Sequence, residues 1–186
     1  MTGNIISDFV KGKKKFDYPF AIQQGIMLHR AIDLFTDTHE ATREAKEVFR
    51  PHYRLYSGAF VDVVYDHFLA TDTNEFTEPS LLEFTTNVYA ALDKQMPWLP
   101  ERFTQLFPYM KEQNWLYNYR TRQGTAKSLG GVVRRSAYLT ESDTAFGLFE
   151  QEYQLLQDCY RQFWTDVKAF ARSQFEKIKI EPGTAL

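Results

Sequence analysis

The sequence predicts an all-α fold, a single-domain helical bundle, on three observations. Apolar residues recur at the three- and four-residue spacing of amphipathic helices through most of the chain. No stretch of useful length alternates polar and apolar residues as a half-buried strand does. The 186 residues, of which 44% are hydrophobic and 16% aromatic, suffice for one domain with a sizeable core. We therefore expect one all-helical domain over residues 1–180 and a frayed tail over residues 181–186.

Proline and glycine mark most of the expected boundaries of roughly seven to nine helices. Pro19 suits the first turn of a helix, and Pro51 is expected to stop or kink the charged helix that precedes it. Gly130 and Gly131 are expected to weaken or kink a later helix. The last predicted helix contains no proline and has a long apolar stripe. In order, the expected helices cover residues 3–10, 19–36, 40–50, 56–70, 79–95, 101–110, 112–119, 125–136 and 144–178.

Composition excludes several functional classes. The net charge of −2 gives no whole-chain argument for binding nucleic acid. A single cysteine, Cys159, excludes an internal disulfide framework and a cysteine-based zinc site, and fits a reduced compartment. No secretory signal and no run of about 20 apolar residues is visible, so neither export nor a membrane span is expected. The expected location is the cytoplasm.

Two predicted helices contain ionisable residues at helical spacing beside apolar ones. On the first, His29, Asp33 and Asp37 lie four residues apart and share one face. The second contains Asp62 and the adjacent pair of Asp66 and His67. All four histidines of the chain fall within the first 67 residues. We expect the two helices to face each other and hold a divalent metal, with the candidate ligands His29, Asp33, Asp66 and His67.

The ordinary alternative for such charges is a set of buried ion pairs with Arg30, Arg43 or Arg54. Residues four apart are separated by about 6 Å along a helix. Asp33 can therefore bind one ion together with either His29 or Asp37. His29 and Asp37, which are eight residues apart, are too distant to bind the same ion. Mixed imidazole and carboxylate ligands suit manganese, iron or zinc better than calcium. Such an ion lowers the pKa of a bound water and binds a phosphoryl oxygen.

The sequence leaves open the roles of two sets of positively charged residues. Arg30 is either a phosphate-binding residue beside the metal or a salt-bridge partner of Asp33 or Asp37. Four lysines around Gly12 form either a solvated loop or a surface that attracts an acidic partner. These lysines are Lys11, Lys13, Lys14 and Lys15.

Three blocks of sequence together resemble the acyl carrier protein phosphodiesterase family. They are Gly3-Asn-Ile-Ile-Ser-Asp8-Phe-Val-Lys-Gly12, Gly25-Ile-Met-Leu-His29-Arg-Ala-Ile-Asp33-Leu-Phe-Thr-Asp37 and Asp62-Val-Val-Tyr-Asp66-His67-Phe-Leu, with Arg43-Glu-Ala between the last two. Their order and spacing cover roughly the first seventy residues tightly, and the aromatic-rich remainder is compatible but less diagnostic.

The resemblance implies an all-helical fold related to the HD-type metal-dependent phosphohydrolases. The implied activity is hydrolysis of the phosphodiester between 4′-phosphopantetheine and a serine of holo-acyl carrier protein, in cytoplasmic fatty acid biosynthesis and lipid metabolism. Manganese is the favoured metal, with Fe²⁺, Zn²⁺ and Mg²⁺ as alternatives. The implied metal ligands are Asp8, His29, Asp33, Asp66 and His67. Asp62 or Asp37 would orient or deprotonate the water, and Arg30 would bind the phosphate. The acidic carrier protein would dock on Lys11, Lys13, Lys14, Lys15, Arg43 and Arg54.

The chain departs from the family pattern at its start. Relatives have a segment with Phe-Leu-Ala-His before the Gly3-Asn4 block, and this chain begins at Met1. If that histidine is a ligand or packs under the site, we expect poor metal binding or an inactive protein. Two other functions stay open: a phosphohydrolase acting on a nucleotide and, favoured if the missing segment removes the site, a non-catalytic helical protein that binds acyl carrier protein.

Overall fold

The chain folds into helices joined by short turns. The structure is a computed structural model that describes residues 1–180, and the predicted tail at residues 181–186 lies outside the described residues. Within residues 1–180 there is no β-strand, so the all-α prediction is confirmed. The helices are α1 (Thr2–Ile6), α2 (Phe20–Thr38), α3 (Glu40–Tyr53), α4 (Ser57–Thr71), α5 (Glu78–Asp93), α6 (Glu101–Glu112), α7 (Trp115–Asn118), α8 (Arg122–Arg135), α9 (Asp143–Gln151) and α10 (Tyr153–Ile180). The extent of the single domain stays a prediction.

Two local expectations were wrong. The described part of the chain has ten α-helices rather than seven to nine, because the predicted last helix ends at Gln151 and a new one begins at Tyr153. Neither proline nor glycine lies at that break, so the residue types there gave no signal for it. Pro51 lies inside α3, which continues to Tyr53. Its missing N–H removes only one hydrogen bond, close to the end of the helix, and the helix tolerates that loss.

The buried side chains form two clusters. The larger cluster lies among α3, α4, α8, α9 and α10, and its fully buried members include Phe49, Phe60 and Phe149. The smaller cluster joins α1, α2, α5 and α6 through Ile6, Ile26 and other apolar residues. Helix α2 therefore contacts both clusters: Ile22 and Ile26 belong to the smaller one, and Ile32 and Phe35 pack against the larger one, to which α4 belongs. Among the described residues, no helix is long and apolar enough to cross a membrane.

Glycines let α1 and α2 approach each other closely. A Cβ atom on Gly3 would lie 2.0 Å from the carbonyl oxygen of Ile22, and one on Gly25 would lie 3.1 Å from the backbone nitrogen of Asn4. Any side chain at Gly3 would push the two helices apart. The close contact brings the polar residues that follow Gly3 beside His29 of α2.

Candidate metal centre

Three side chains from two segments converge at one point on the surface. His29 of α2 places its Nε2 atom 3.1 Å from an oxygen of Asp33, one turn along the same helix, and 3.3 Å from an oxygen of Asp8. Asp8 lies in the 3₁₀ turn Ser7–Phe9 that directly follows α1. One ligand atom from each of the three residues lies within 4.8 Å of the others. One nitrogen and two carboxylate oxygens therefore surround a space that a cation fits.

Asn4 orients the His29 ring. Its Oδ1 atom lies 3.2 Å from Nδ1 of His29. Because an amide oxygen can only accept, Nδ1 carries the proton, and in the neutral ring Nε2 then presents its lone pair to the two carboxylates. Metal-binding histidines are typically held in this way by a hydrogen bond on the second ring nitrogen.

The two carboxylates also control the protonation of His29. Hydrogen bonds to Asp33 and Asp8 stabilise the charged imidazolium and raise the pKa of His29 to about 9. The same hydrogen bond from His29, with a smaller effect of the Arg135 guanidinium, lowers the pKa of Asp8. A proton therefore occupies His29 at neutral pH when no metal is present, and a bound cation would have to displace it.

Helix α4 adds two more carboxylates to the same region. Asp62 and Asp66 are one turn apart, and each keeps part of its side chain exposed while the protein surrounds the rest. Desolvation by the surrounding protein, together with the negative charges of Asp66, Asp33 and Asp37, raises the pKa of Asp62 to about 7. Asp33 and Asp37 belong to α2, so acidic side chains of α2 and α4 lie within electrostatic range of one another. Desolvation also raises the pKa of Asp66 to about 7.

Asp66 has a partner that the sequence did not indicate. The hydroxyl of Tyr119, which follows α7, forms a hydrogen bond with the Asp66 carboxylate and another with Ser128 of α8. Burial and the charge of Asp66 raise the pKa of Tyr119, so it stays a neutral donor. Ser128 thereby connects α8 to Asp66 through Tyr119.

The structure does not bring His67 to this centre. Its side chain lies in the larger core cluster, and the residue is only 2% exposed. Nδ1 lies 2.8 Å from the carbonyl oxygen of Tyr119 and 3.1 Å from the hydroxyl of Thr125, and Nε2 lies 3.1 Å from the hydroxyl of Tyr153. Burial lowers its pKa. Both ring nitrogens are used within the protein, so we leave His67 out of the ligand set proposed below.

Arg30 and Asp37 make contacts that neither sequence-based alternative included. Arg30 donates to the backbone carbonyls of Val10 and Gly12, and so holds the segment that follows Asp8. It forms no salt bridge with Asp33 or Asp37 within the described chain. Asp37 instead pairs with Lys46 of α3, at 2.8 Å. Arg30 therefore binds the backbone beside the Asp8–His29–Asp33 group, and Asp37 binds α3; neither is a member of that group.

The residues predicted to dock a partner lie at the surface. Lys11, Lys13 and Lys14 are exposed and Lys15 is half-buried, in the 3₁₀ segment between Asp8 and α2. Arg43 and Arg54 are exposed on α3 and immediately after it. Across residues 1–180, these six cations form no ion pair. Their charges are therefore available to a negatively charged partner.

Comparisons with known proteins give one consistent result. A family model described as acyl carrier protein phosphodiesterase matches residues 1–167. An acyl carrier protein phosphodiesterase of Yersinia pestis is 33% identical over 165 residues, which cover 88% of this chain and 86% of the relative. Proteins of the same description from Photorhabdus laumondii and Salmonella paratyphi A are each 30% identical, over 88% and 92% of this chain and 83% and 89% of the relatives. No solved structure matches the chain.

Proposed function

The chain belongs to the acyl carrier protein phosphodiesterase family, and from that premise we propose that it is a metal-dependent enzyme that converts holo-acyl carrier protein to the apo form. The observation that supports the metal-dependent part most directly is the Asp8–His29–Asp33 group, which lies within the segment matched by the family model. The relation to HD-type phosphohydrolases stays a prediction.

The proposed reaction is hydrolysis of a phosphodiester. An oxygen of water forms a new bond to phosphorus, and the bond from phosphorus to the serine oxygen of the carrier protein breaks. The serine oxygen takes a proton and becomes a hydroxyl, while 4′-phosphopantetheine leaves as a phosphate monoester. The balance requires one water and no redox partner.

The proposed metal ligands are Asp8, His29 and Asp33, with Asp66 as a further carboxylate from α4. Their donor set of one imidazole and several carboxylates fits Mn²⁺, Fe²⁺ or Zn²⁺, and we propose manganese. The raised pKa of Asp62 also supports a cation here: after desolvation, its causes are the negative charges of Asp66, Asp33 and Asp37, which a positive charge would offset. When bound, the ion supplies charge stabilisation to a phosphoryl oxygen and lowers the pKa of water.

Asp62 is the proposed general base. It is an exposed carboxylate that forms no ion pair within residues 1–180, and it lies one turn from Asp66 on α4, so it can accept a proton from water. Asp37, the other candidate from the sequence, is instead paired with Lys46 of α3. Asp66 is held by the hydrogen bond from Tyr119, which fixes its carboxylate relative to Asp62.

We propose that acyl carrier protein docks on the basic surface beside the centre. The partner is acidic, and the lysines at residues 11–15 follow Asp8 directly, so an acidic surface bound there would lie close to the metal ligands. Exposed aromatic rings of Phe16 and Phe20 flank the lysines and add apolar area to the surface. We propose the cytoplasm as the compartment.

The test is release of 4′-phosphopantetheine from purified holo-acyl carrier protein, followed by the mass of the intact carrier. The chelator-treated full chain should be inactive, and added Mn²⁺ should restore release. If the metal-loaded chain leaves the carrier mass unchanged, the proposed substrate is wrong. Cleavage of a nucleotide phosphodiester by the same sample would then favour the nucleotide-specific alternative.

The chain offers a matched control for the metal ligands. Asp33 and Asp166 each place an oxygen 3.1 Å from Nε2 of a histidine, His29 and His39 respectively, and both carboxylates are more than half exposed. Only the His29 site has a second carboxylate at the same nitrogen. Asp33→Asn should abolish Mn²⁺-dependent release, whereas Asp166→Asn should retain it. Equal activity of the two variants would reject the proposed ligand set.

A further inference from the structure

A cavity of about 350 Å³ lies beside Tyr119. Its wall is formed by one face of α8, by α7 and by Val63 of α4. Tyr119 itself lines the cavity while its hydroxyl contacts Asp66. The volume lies within the range of about 300–1,000 Å³ that is usual for small-molecule sites. The cavity and the proposed metal centre are therefore neighbours that share one wall.

The charge of this cavity is opposite to that of the acidic side chains of α2 and α4. Lys127, Arg134 and Arg135 line it, and within residues 1–180 no carboxylate does. None of the three cations forms an ion pair in the described part of the chain. Arg135 is also close enough to Asp8 to lower the pKa of that carboxyl. The permanently charged guanidinium of Arg135 thus lines the cavity within electrostatic range of the centre, where an anionic group of a ligand would be stabilised.

The absence of a side chain at Gly131 keeps the wall of the cavity open. A Cβ atom at this buried position of α8 would lie 3.2 Å from Nη1 of Arg135 and 3.7 Å from Nη2 of Arg134. Both guanidinium groups therefore fold back over Gly131 toward the cavity. The sequence marks this position only as a weak point in a helix, but the structure shows that α8 is continuous there.

The remaining wall combines apolar surface with amide groups. Trp115 and Val63 supply apolar area, and Gln113, Asn118 and Gln123 supply side-chain amides. This mixture fits an extended chain that contains amide bonds. A nucleobase or a bare phosphate would use only part of it.

We propose that this cavity binds the 4′-phosphopantetheine arm of the substrate, with Arg135 on the phosphate and the amide-containing chain along α8 and Trp115. The inference rests on the proposed function and specifies how its substrate is held. The arm enters beside Tyr119 and presents its phosphodiester to the acidic side chains of α2 and α4. Arg135 therefore takes the phosphate-binding part that the sequence suggested for Arg30.

Binding is tested by calorimetry on the full chain in chelator, so that the result does not depend on the metal. The probes are 4′-phosphopantetheine, pantetheine without the phosphate, and inorganic phosphate. Arg135→Gln should weaken 4′-phosphopantetheine about tenfold or more and leave pantetheine unchanged, because one charge-assisted contact is lost. Arg102→Gln, at an exposed arginine of α6, is the charge control and should change nothing.

Gly131→Ala tests the shape of the cavity without changing charge. Its Cβ contacts only the ends of flexible arginine side chains, and alanine favours a helix, so the variant should fold. It should weaken both pantetheine-containing probes about fivefold or more. The control is Gly147→Ala in α9, where a Cβ meets nothing within 4 Å.

The outcomes separate this inference from the proposed function. If the wild type releases 4′-phosphopantetheine from the carrier but Arg135→Gln and Gly131→Ala match their controls in binding and in KM, the cavity is not the arm site. If the wild type binds the arm and both variants bind it more weakly, yet no release occurs with metal, the cavity is the arm-binding site and the hydrolase proposal is wrong. If the wild type neither binds nor releases the arm, both are rejected.

Discussion

His29 and His67 belong to similar sequence patterns but have opposite environments. Each lies on a helix close to aspartates, and each was a candidate ligand from the sequence. His29 lies at a partly open edge between two carboxylates, which raise its pKa to about 9. His67 lies in the core among uncharged partners, and burial lowers its pKa. Proximity to an aspartate in sequence therefore does not decide whether a histidine can bind an ion.

The hydrogen-bond partners of the His29 and His67 rings indicate different roles. A ring with one nitrogen fixed by Asn4 and the other facing carboxylates has a coordination position available for a cation. A ring with both nitrogens hydrogen-bonded to Tyr119, Thr125 and Tyr153 joins α4 to α8 and α10. We expect substitutions at His29 to affect chemistry and substitutions at His67 to affect folding.

The largest effect is expected from His29→Ala. Loss of the only imidazole in the proposed ligand set should lower kcat/KM for holo-acyl carrier protein by about 10³-fold or more, which is about 4 kcal/mol. In chelator at neutral pH, the free energy of unfolding should fall by at most about 1–2 kcal/mol, because the partners of His29 are more than half exposed. Steady-state kinetics at saturating Mn²⁺ and denaturant unfolding measure the two quantities. An active His29→Ala enzyme would remove the distinction between the two histidines.

Asp62→Asn should separate activity from stability within the acidic region. Loss of the proposed base should lower kcat by about 10²-fold. The metal-free variant should be slightly more stable than the wild type at pH 8, because repulsion with Asp66, Asp33 and Asp37 is removed. The control is Asp93→Asn, which removes an exposed salt bridge to Lys111 and should leave kcat unchanged. A kcat equal to that of the control would exclude Asp62 as the base.

His67→Ala should instead destabilise the fold. The substitution leaves a cavity in the larger core cluster and removes the partner of three buried polar groups, so we expect a loss of about 2–4 kcal/mol. Mn²⁺ affinity of the folded fraction should stay within about twofold of the wild type. Urea unfolding in chelator, followed by metal titration below the transition, measures both. Intact stability together with lost metal binding would return His67 to the ligand set.

The pH dependence of metal-free stability should differ in sign between the two rings. An unfolded histidine titrates near pH 6.5. His29, with its raised pKa, stabilises the fold fully below about pH 6.5, and this contribution is lost as the pH rises through about 9. His67, with its lowered pKa, contributes fully above about pH 6.5, and that contribution is lost on acidification through its folded pKa.

Unfolding free energies measured from pH 5 to 10 in chelator test this contrast. The wild type should lose about 1–2 kcal/mol more than His29→Gln between pH 6.5 and 10, a value reduced because Asp8 and Asp33 are more than half exposed. His52→Gln, at an exposed histidine, should follow the wild type. Parallel curves for all three proteins would contradict the environment assigned to His29.

Local periodicity predicted the parts of the centre that lie on one helix. The four-residue spacing of His29 and Asp33 placed both side chains on one face, and the structure has them 3.1 Å apart. Asp8 came from the resemblance to the family, and its position depends on the close packing of Gly3 against Ile22. The spacing rules do not describe such packing between helices.

The remaining features depend on residues far apart in the sequence. Adjacent side chains on a helix diverge by about 100°, so Asp66 and His67 had to face different surroundings. The hydrogen bonds that hold His67 in the core come from Thr125 and Tyr153, which lie 58 and 86 residues beyond it. Tyr119 and Arg135 were not predicted either, because they reach the centre only through the packing of α8 against α4.

Pulsed electron paramagnetic resonance of Mn²⁺ bound to the full chain tests the ligand assignment most directly, because nitrogen coupling reports imidazole coordination. The wild type and His67→Gln should each show coupling to one histidine nitrogen, and His29→Gln should show none. Nitrogen coupling that persists in His29→Gln and disappears in His67→Gln would contradict the assignment of His29 as the metal ligand.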